Sequence, residues 1–516
     1  MKTLNTDLHG FERMKEEKSP CREEEHRQEA HGEDAVTLSG TPRARSEGPL
    51  RFARTATIAL ALCAAVFAQQ SPSATKRKPV PRTSSETKAA VTNSNAPIAL
   101  KGGKLLTITH GTIENGVIVM EDGKIMAVGG PTTAIPKGAR VIDVTGMTVY
   151  PGFIDSETQL GLTEISADEM TNDQVETSDE IMPHMHVYDA FHAESELIPV
   201  TRVNGITNAV VVPAGRDTLP GQDSLVQLDG RSAEDMVLVR DVAMPLNFTG
   251  SEKRNFDWGG GGRRGGGGGF PTTRMGMAAQ LRQAFLDAQE YQRKWEDYNK
   301  KVTDNGTEQR EQKDKQPSVP PKRDLKLEAL LPYLGGKRPI VLAALLPNDL
   351  VVATELAREF NLKFVLNKLT GSQRVLDQVG SMKVPVIVGP IWEEPNDNQR
   401  YDAVYTLPAE LHKRGVKIAF ASYDAHNARN LPYAAGYAVA WGLPYEEALK
   451  ALTINPAEIW GVSDKLGSLD VGKTANVVVA NGDPLDVKTD VKRVFIEGRE
   501  CSMETRQTRL RDQYGK

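Results

Sequence analysis

The sequence predicts an α/β fold in which a (β/α)8 TIM-like barrel is joined to a small β-domain built from both ends of the chain. Strand-like runs alternate with helical stretches over residues 151–460, which is the pattern of a parallel sheet with crossover helices. Without an insert at about residues 250–326, this stretch holds about 233 residues, close to the ~250 typical of such a barrel. Short apolar runs separated by turns lie on both sides of it and predict the second sheet.

Composition excludes several classes of protein. The chain of 516 residues is 25% charged and 39% hydrophobic, which is too long for one ordinary core and too polar for a membrane protein. Its net charge of −5 gives no electrostatic reason to bind nucleic acid or anionic lipid. The cysteines at positions 21, 63 and 501 match neither a CxxC metal spacing nor a disulfide framework. We therefore expect no nucleic-acid partner and a fold that holds together without disulfides.

The first part of the chain has three segments of different composition. Residues 1–50 are rich in charge and poor in large apolar residues, so we expect a disordered extension or an upstream stretch wrongly assigned to the protein. Arg51 and Arg54 precede an uncharged apolar run with a small-residue cleavage pattern ending at Ala68. Residues 51–68 are therefore predicted to be a signal peptide. Residues 69–97, rich in Ser, Thr, Pro and Lys, are predicted to be a solvated linker.

These segments predict an exported protein, either periplasmic or extracellular. The apolar run is too short to cross a bilayer as a helix, so the mature chain is expected to have no integral membrane span. Because no methionine lies between Met14 and Met120, translation is expected to start at a non-AUG codon such as that of Val36 or Leu50. The alternative for the apolar run is a short buried helix.

Strand patterns occur at both ends of the folded region. A turn at 121–124 joins two apolar runs near its start, which is a hairpin pattern, and a turn at 497–498 follows the last run. The predicted strands are 104–109, 116–120, 125–128, 141–144, 475–480 and 491–496. We therefore predict one β-domain composed of residues 98–150 and 464–500, with the barrel formed by 151–460.

The predicted barrel has seven visible strands, and an eighth is expected near residues 401–407. The seven runs are 149–155, 206–213, 236–239, 339–344, 363–366, 384–388 and 417–421. The insert contains a glycine-rich loop at 258–270, which is typical of a flexible segment. A helix follows it with one apolar stripe, formed by Leu281, Phe285, Ala288, Tyr291, Trp295 and Tyr298. This helix is predicted to pack on the barrel flank, and a partner-binding helix is the alternative.

One apparent nucleotide motif is excluded by its context. Residues 467–474 match the spacing G-x-x-x-x-G-K-[ST] of a phosphate-binding loop. Such a loop must lie between a strand and the N-terminus of a helix, whereas this segment precedes the β-branched run 475–480. We therefore predict a turn that enters the small sheet.

Two separated blocks of sequence carry a family resemblance. Residues 150–155 are YPGFID and follow directly on the predicted small sheet. Near the C-terminus stand LTINPAEI at 452–459, KLGSL at 465–469, ANVVV at 475–479 and GDPL at 482–485. Together they resemble the amidohydrolase superfamily, specifically its imidazolonepropionase-like branch, over about residues 98–500. The resemblance implies a barrel fused to a composite β-sandwich and, in active members, metal-assisted hydrolysis of C–N bonds in cyclic amides, ureas or dipeptides.

The chain departs from this family at the positions of the metal ligands. After Asp155 the family places two histidines separated by one residue, and Glu157 and Gln159 occupy those positions here. Ala343 is the nearest match to a ligand at the end of strand 339–344, and the strand ending at residue 366 runs into Asn367 and Lys368. Glutamine is a poor metal ligand and alanine is none, so the metal site is predicted to be degenerate.

Asp424 is the site residue that the resemblance retains. Residues 420–424 (FASYD) match the strand whose terminal aspartate binds metal and transfers the proton in active members, which implies that role for Asp424. Glu157 and His426 complete the predicted metal ligands, because they could join Asp424 in a non-standard site. The predicted cofactor is a divalent metal such as zinc at reduced occupancy, or none. The alternative for Asp424 is a helix cap.

The remaining histidines gave weaker candidates. His184 and His186 form a His-x-His pair that could bind a metal, but they follow the family's position by about thirty residues. His192 is expected to be an ordinary surface or packing residue.

Two functions follow from this sequence, together with a weaker third. The first is an exported hydrolase that acts on carbon–nitrogen bonds of a small, cyclic amide-like molecule. The second is a non-catalytic member of the same fold that binds a small molecule or peptide in the barrel. A scaffold protein that uses the insert is the third. Whether the chain is an enzyme stays open at this point, because function belongs to the site and not to the fold.

Overall fold

The computed structural model describes residues 96–515, except 177, 215–216, 249–270, 272, 308–318, 345, 370–374 and 394–399. The predicted extension, the signal peptide, nearly all of the linker and the glycine-rich loop lie outside the described residues. No helix in the described part of the chain combines the length and the apolarity needed to cross a membrane.

The strands are β1 (Ile98–Leu106), β2 (Thr112–Glu121), β3 (Lys124–Gly129), β4 (Arg140–Asp143), β5 (Thr148–Pro151), β6 (Phe153–Thr158), β7 (Ile206–Val211), β8 (Asp223–Gln227), β9 (Val237–Asn247), β10 (Ile340–Ala343), β11 (Phe364–Asn367), β12 (Val386–Val388), β13 (Ile418–Phe420), β14 (Val477–Ala480), β15 (Val491–Ile496) and β16 (Arg499–Glu500). The α-helices are α1 (Val187–Ala190), α2 (Leu197–Arg202), α3 (Ala233–Met236), α4 (Arg274–Thr307), α5 (Leu325–Leu334), α6 (Pro347–Glu359), α7 (Leu376–Met382), α8 (Ala403–Lys413), α9 (Leu431–Ala440), α10 (Tyr445–Leu452), α11 (Ile454–Ile459) and α12 (Arg506–Tyr514).

Strands from both ends of the described chain form one shared sheet. Its strand order is β16-β15-β14-β5-β1-β2-β3, with β4 paired to β1. The antiparallel pair of β5 and β14 joins the two ends, with Val149 opposite Val479. Both valines are buried in one apolar cluster with Leu100, Ile118 and Phe495. The predicted arrangement as a sandwich and the predicted domain boundaries stay predictions.

The second sheet forms a near-closed barrel of eight strands in the order β13-β12-β11-β10-β9-β8-β7-β6. An apolar cluster fills its interior and includes Ile154, Val210, Leu225, Val341 and Ala419, one residue from each of five strands. The first and last strands approach each other at the seam, where the Tyr423 N–H donates to the Glu157 carbonyl at 2.9 Å. The predicted α/β barrel is therefore present in outline.

The eighth strand was predicted in the wrong place. Residues 403–407 belong to helix α8, whereas the missing strand is β8, which is antiparallel to both β7 and β9. All five residues of β8, DSLVQ, are buried, so the strand shows neither alternation nor a long apolar run. The barrel therefore departs from the all-parallel arrangement of a regular (β/α)8 fold.

The predicted strand 149–155 is also two strands, one in each sheet. The chain passes from β5 to β6 at Gly152, where a Cβ atom would lie 2.1 Å from the Thr207 hydroxyl oxygen. Glycine therefore permits the close approach of the two sheets at this point. The buried Asn476 side chain spans the same joint, because it donates to Asn208 Oδ1 at 2.8 Å and accepts from the Glu497 N–H at 2.9 Å.

The insert contains the amphipathic helix that the sequence predicts. Leu281, Phe285, Ala288 and Tyr291 are buried along one side of α4. The Phe285 ring lies 5.0 Å from that of Phe360, which follows α6, so this side packs on the barrel's helical layer. The segment 467–474 leads into the small sheet before β14, again as predicted.

A buried carboxyl group lies in the barrel wall where β8 begins. Asp223 is fully buried, and neither of its side-chain oxygens has a hydrogen-bond partner in the described part of the chain. Burial raises the pKa of Asp223 well above its ordinary value, and the nearby Glu157 carboxylate raises it further. The folded protein therefore holds this group in its neutral form at a pH where the unfolded chain releases the proton.

Replacing this group with an isosteric amide should change how stability depends on pH. For wild type, the contribution of Asp223 falls as pH rises above the pKa of an unfolded aspartate, because only the unfolded state then loses the proton. We expect Asp223→Asn to gain stability relative to wild type as the pH rises above about 4, the ordinary pKa of an aspartate. Urea unfolding followed by circular dichroism measures the difference.

Asp297→Asn, at an exposed position of α4, is the control and should show no such increase. An Asp223→Asn variant that loses stability relative to wild type as the pH rises would mean that the native carboxyl is ionised and has a stabilising partner.

Candidate functional site

A cavity of about 190 Å³ opens at the C-terminal ends of the barrel strands. This is the end of a barrel at which loops and strand termini form active sites. Its walls come from β6, β9, β10 and β11 and from the segments after β7 and β13, through Glu157, Gln159, Pro213, Ala214, Pro245, Asn247, Val341, Ala343, Asn367, Lys368 and Tyr423. Among the polar residues of the lining, Asn367 and Lys368 act directly on Glu157.

Glu157 is the carboxylate of this cavity. It lies at the end of β6, is almost fully buried, and accepts a hydrogen bond from Asn367 Nδ2 on its Oε2 atom. Burial raises the pKa of Glu157, while the Lys368 ammonium and the Asn367 hydrogen bond oppose that shift. The group is thus a carboxyl whose pKa lies above its ordinary value and whose ionised form has two stabilising neighbours.

Asn367 is held in one orientation by a chain of hydrogen bonds. Its Oδ1 atom accepts from the Tyr423 hydroxyl and from the Lys368 backbone N–H, so its amide nitrogen faces Glu157. Burial raises the pKa of Tyr423 well above its ordinary value, which keeps the phenol protonated as the donor. The Lys368 ammonium lies 5.9 Å from the centre of the Tyr423 ring.

Two of these residues have a strained backbone. Lys368 and Tyr423 have φ angles of 55° and 56°, in the left-handed region that non-glycine residues rarely adopt. Such strain persists only where surrounding contacts fix it, and it concentrates at functional sites. Here it directs both side chains toward the same cavity.

Asp155 is a second buried carboxyl, next to the cavity. Its Oδ2 atom accepts from the Ser422 hydroxyl at 2.5 Å, and its Oδ1 atom accepts from the Ser422 N–H at 3.0 Å and the Glu157 N–H at 3.3 Å. Burial raises the pKa of Asp155 to about 7, against the lowering effect of these hydrogen bonds. Through its hydrogen bonds with Ser422, Asp155 therefore joins β6 to the segment after β13.

The predicted catalytic residue Asp424 lies outside the residues that line this cavity. Its carboxylate accepts from the His426 N–H at 2.6 Å, the Asn427 N–H at 3.1 Å and Asn427 Nδ2 at 3.0 Å. The side chain is 41% exposed, and it caps a turn ahead of the short 3-10 helix Ala428–Asn430. The catalytic role of Asp424 stays a prediction, and the capping alternative describes the contacts that it makes.

The three predicted metal ligands point in different directions. His426 Nε2 is 2.9 Å from the Glu164 carbonyl oxygen, and its Nδ1 is 3.8 Å from Asp424 Oδ1. Glu157 is directed at Asn367 instead. Within the described residues, no group of three or more His, Cys, Asp or Glu side chains could hold a metal ion.

The donor set therefore does not fit the family's metal. Asn367 uses both ends of its amide within the protein, and the other family positions hold Gln159 and Ala343. A single carboxylate with one amide is a weak ligand set for zinc, which prefers imidazole, thiolate and several carboxylates together.

The His-x-His pair lies in a different polar cluster. His186 Nδ1 is 2.7 Å from Asp241, whose other oxygen pairs with Arg338 at 3.1 Å. His184 Nδ1 is buried without a hydrogen-bond partner in the described part of the chain, and burial lowers the pKa of His184. His192 pairs with Asp173 at 2.9 Å between exposed side chains, as expected for a surface residue.

Sequence reasoning noted Asn367 and Lys368 only because a histidine was missing. The available pattern was a pair of polar residues directly after an apolar strand, which places them at the C-terminal end of the barrel. Tyr423 lies within the FASYD motif, which by itself indicates no role for it. No local pattern indicates that these residues meet Glu157, because they are separated from it by more than two hundred residues along the chain.

Comparison with known proteins matches residues 394–501 to the amidohydrolase family. Amidohydrolase tasK of Hapsidospora irregularis is 25% identical over 404 residues, which are 75% of this chain and 39% of that protein. An N-acetylglucosamine-6-phosphate deacetylase of Caenorhabditis elegans is 33% identical over 102 residues, 19% of this chain and 23% of that one. The chain therefore spans well under half the length of these relatives.

Among solved structures, an amidohydrolase from Thermotoga maritima matches with a TM-score of 0.66 and 27% identity. The match covers 78% of this chain and 99% of that one. Motif, relative and structure agree on the superfamily and leave its branch open. The matching family model, the relative and the solved structure together support the assignment of this chain to the amidohydrolase superfamily.

Proposed function

We propose that this protein hydrolyses a carbon–nitrogen bond of a small, amide-like molecule in the barrel cavity, with Glu157 as the general base. The observation that carries the proposal is the position of Glu157, a buried carboxyl that faces the cavity beside Lys368 and is oriented by Asn367. A base whose pKa is raised toward neutrality is well matched to proton transfer near neutral pH. The imidazolonepropionase-like branch, with cyclic amides as substrates, belongs to the same proposal.

The proposed reaction needs only groups that line the cavity. Glu157 accepts a proton from a water molecule while the water oxygen forms a bond to the substrate's carbonyl carbon. The Lys368 ammonium stabilises the negative charge that develops on the carbonyl oxygen. Glu157 then returns the proton to the departing nitrogen as the carbon–nitrogen bond breaks. The cavity of about 190 Å³ favours a small substrate, since pockets for drug-sized ligands usually begin near ~300 Å³.

The second candidate is a binding protein without catalysis. It is favoured by the closed chain of hydrogen bonds among Tyr423, Asn367 and Glu157, which leaves the polar groups satisfied by one another. A site of this kind could bind a small polar molecule and lack the freedom to move a proton. The two candidates predict different results with the same ligand.

A screen of cyclic amides, ureas and dipeptides, read by mass spectrometry, tests the proposal. With a substrate identified, Glu157→Gln should reduce kcat by about 100-fold or more, because the amide cannot accept the proton. The wild-type rate should rise with pH as Glu157 ionises, with its midpoint above 4.5, the ordinary pKa of a glutamate. Glu169→Gln, at an exposed position outside the cavity, is the control.

Asp424→Asn separates the two candidate bases. If Glu157 is the base, this variant should retain most of its kcat, since the amide oxygen can still cap the turn. A loss as large as that of Glu157→Gln would restore Asp424 to the role that the resemblance implies. Ligands that raise the melting temperature but are never converted would support the binding protein instead.

The donor set also predicts the metal content. We expect the purified protein to contain less than one tightly bound zinc per chain, because one carboxylate and one amide bind zinc weakly. Elemental analysis by mass spectrometry measures this directly. One or two equivalents of zinc that Asp424→Ala removes would contradict the prediction and would support a metal site at Asp424.

Export remains part of the proposal. The supporting feature is the apolar run within residues 51–68 with its cleavage pattern, which lies outside the described residues. We expect the N-terminus of the mature protein to lie near Gln69 when the gene is expressed in its own host. N-terminal sequencing that finds an intact Met1 would contradict both export and the predicted start of translation.

A further inference from the structure

A second, larger cavity lies beside the barrel mouth. It is a groove of about 850 Å³ between helix α9 and the turn at 484–487 that links β14 to β15. Trp392, from the loop after β12, and Asn427, from the loop after β13, form its end nearest the barrel. Its volume is within the range of small-molecule sites, and it shares no lining residue with the cavity at Glu157.

Aromatic rings form the wall of this groove. Trp392 is 51% exposed and Tyr437 is 40% exposed, with ring centres 5.4 Å apart. Behind them Tyr405 contacts Tyr437 at 5.2 Å and stacks on Trp441 at 5.4 Å. Tyr405 thus supports Tyr437, which in turn contacts Trp392, and both outer side chains stay partly exposed to solvent.

The groove is built into the fold and does not depend on one mobile side chain. A Cβ atom at Gly436 would lie 2.5 Å from the Leu485 carbonyl oxygen, so glycine lets α9 lie directly against the turn. Tyr433, which also lines the groove, accepts a hydrogen bond from Asn204 Nδ2 at 3.1 Å. These contacts place the aromatic wall before any ligand arrives.

The charged residues that line the groove indicate that its ligand is positively charged. Among the described residues that line the groove, Asp486 supplies a carboxylate and there is no lysine, arginine or histidine. The partly exposed rings of Trp392 and Tyr437 add to this, because the face of an aromatic ring carries negative potential that attracts cations. Asn427 directs its amide nitrogen at Asp424, 3.0 Å away, and so turns a donor away from the groove.

We propose that this groove binds an organic cation of the alkylated ammonium class, with its cationic head against Trp392 and Tyr437 and its charge balanced by Asp486. A cation without apolar surface would gain little binding energy from the aromatic rings. An ammonium group that carries methyl groups can contact both these rings and Val487. The proposal concerns binding alone and does not depend on hydrolysis at Glu157.

Choline and its uncharged isostere 3,3-dimethylbutan-1-ol test the charge requirement. The two probes have the same shape and differ in the charge of one atom. Titration calorimetry on the full chain should give choline an affinity about 5- to 30-fold higher than that of the alcohol, the range expected for a cation on aromatic faces. Equal affinity for the two probes, or no binding of choline, would overturn the proposal.

Variants locate the site. Trp392→Ala should weaken choline binding by about 5-fold or more, and Asp486→Asn should weaken choline while leaving the alcohol unchanged. Tyr437→Phe keeps the ring and should bind as wild type does, whereas Tyr437→Leu should not. Tyr514→Ala, at an exposed tyrosine outside the groove, is the matched control. Choline binding that survives both Asp486→Asn and Tyr437→Leu would place the ligand elsewhere and reject the assignment.

Discussion

The barrel depends on the contacts that join its first strand, β6, to the segment after its last strand, β13. Asp155 accepts hydrogen bonds from the N–H and the hydroxyl of Ser422, and the Tyr423 N–H donates to the Glu157 carbonyl. Without them the eight-stranded sheet would keep two open edges at this point. Burying a carboxyl costs desolvation energy, and the hydrogen bonds to Asp155 offset part of that cost.

The same seam builds the candidate site. The Glu157 backbone holds Tyr423, the Tyr423 hydroxyl holds Asn367, and the Asn367 amide holds the Glu157 side chain, which closes a ring of interactions. Each member is oriented by another, so the carboxylate is fixed without a metal ion. Rigid orientation of this kind favours catalysis when it matches the transition state and prevents it when it does not. This is the physical difference between the enzyme and the binding protein.

Features that depend on local periodicity could be predicted from the sequence, and features that depend on distant contacts could not. The apolar stripe of α4 and the hairpin of β2 and β3 are patterns within a few residues, and both are present. Strand β8 lacks such a pattern because it is short and buried throughout. The role of Asp155 requires Ser422, 267 residues away, and no periodicity records that pairing. The resemblance located the barrel mouth but assigned its chemistry to Asp424, whose contacts are those of a cap.

The charges inside the barrel limit what the cavity can accept. Asp155, Glu157 and Asp223 are three buried carboxyls, and the Glu157 carboxylate raises the pKa of the other two, whereas the Lys368 ammonium acts on Glu157 in the lowering direction. One ammonium stabilises one carboxylate, so the low-cost state has Glu157 ionised and Asp223 neutral. The cavity then carries one positive and one negative group and is close to neutral overall. A neutral, polar substrate such as an amide enters this field without a charge penalty, whereas an anionic substrate would be repelled by the ionised Glu157 carboxylate.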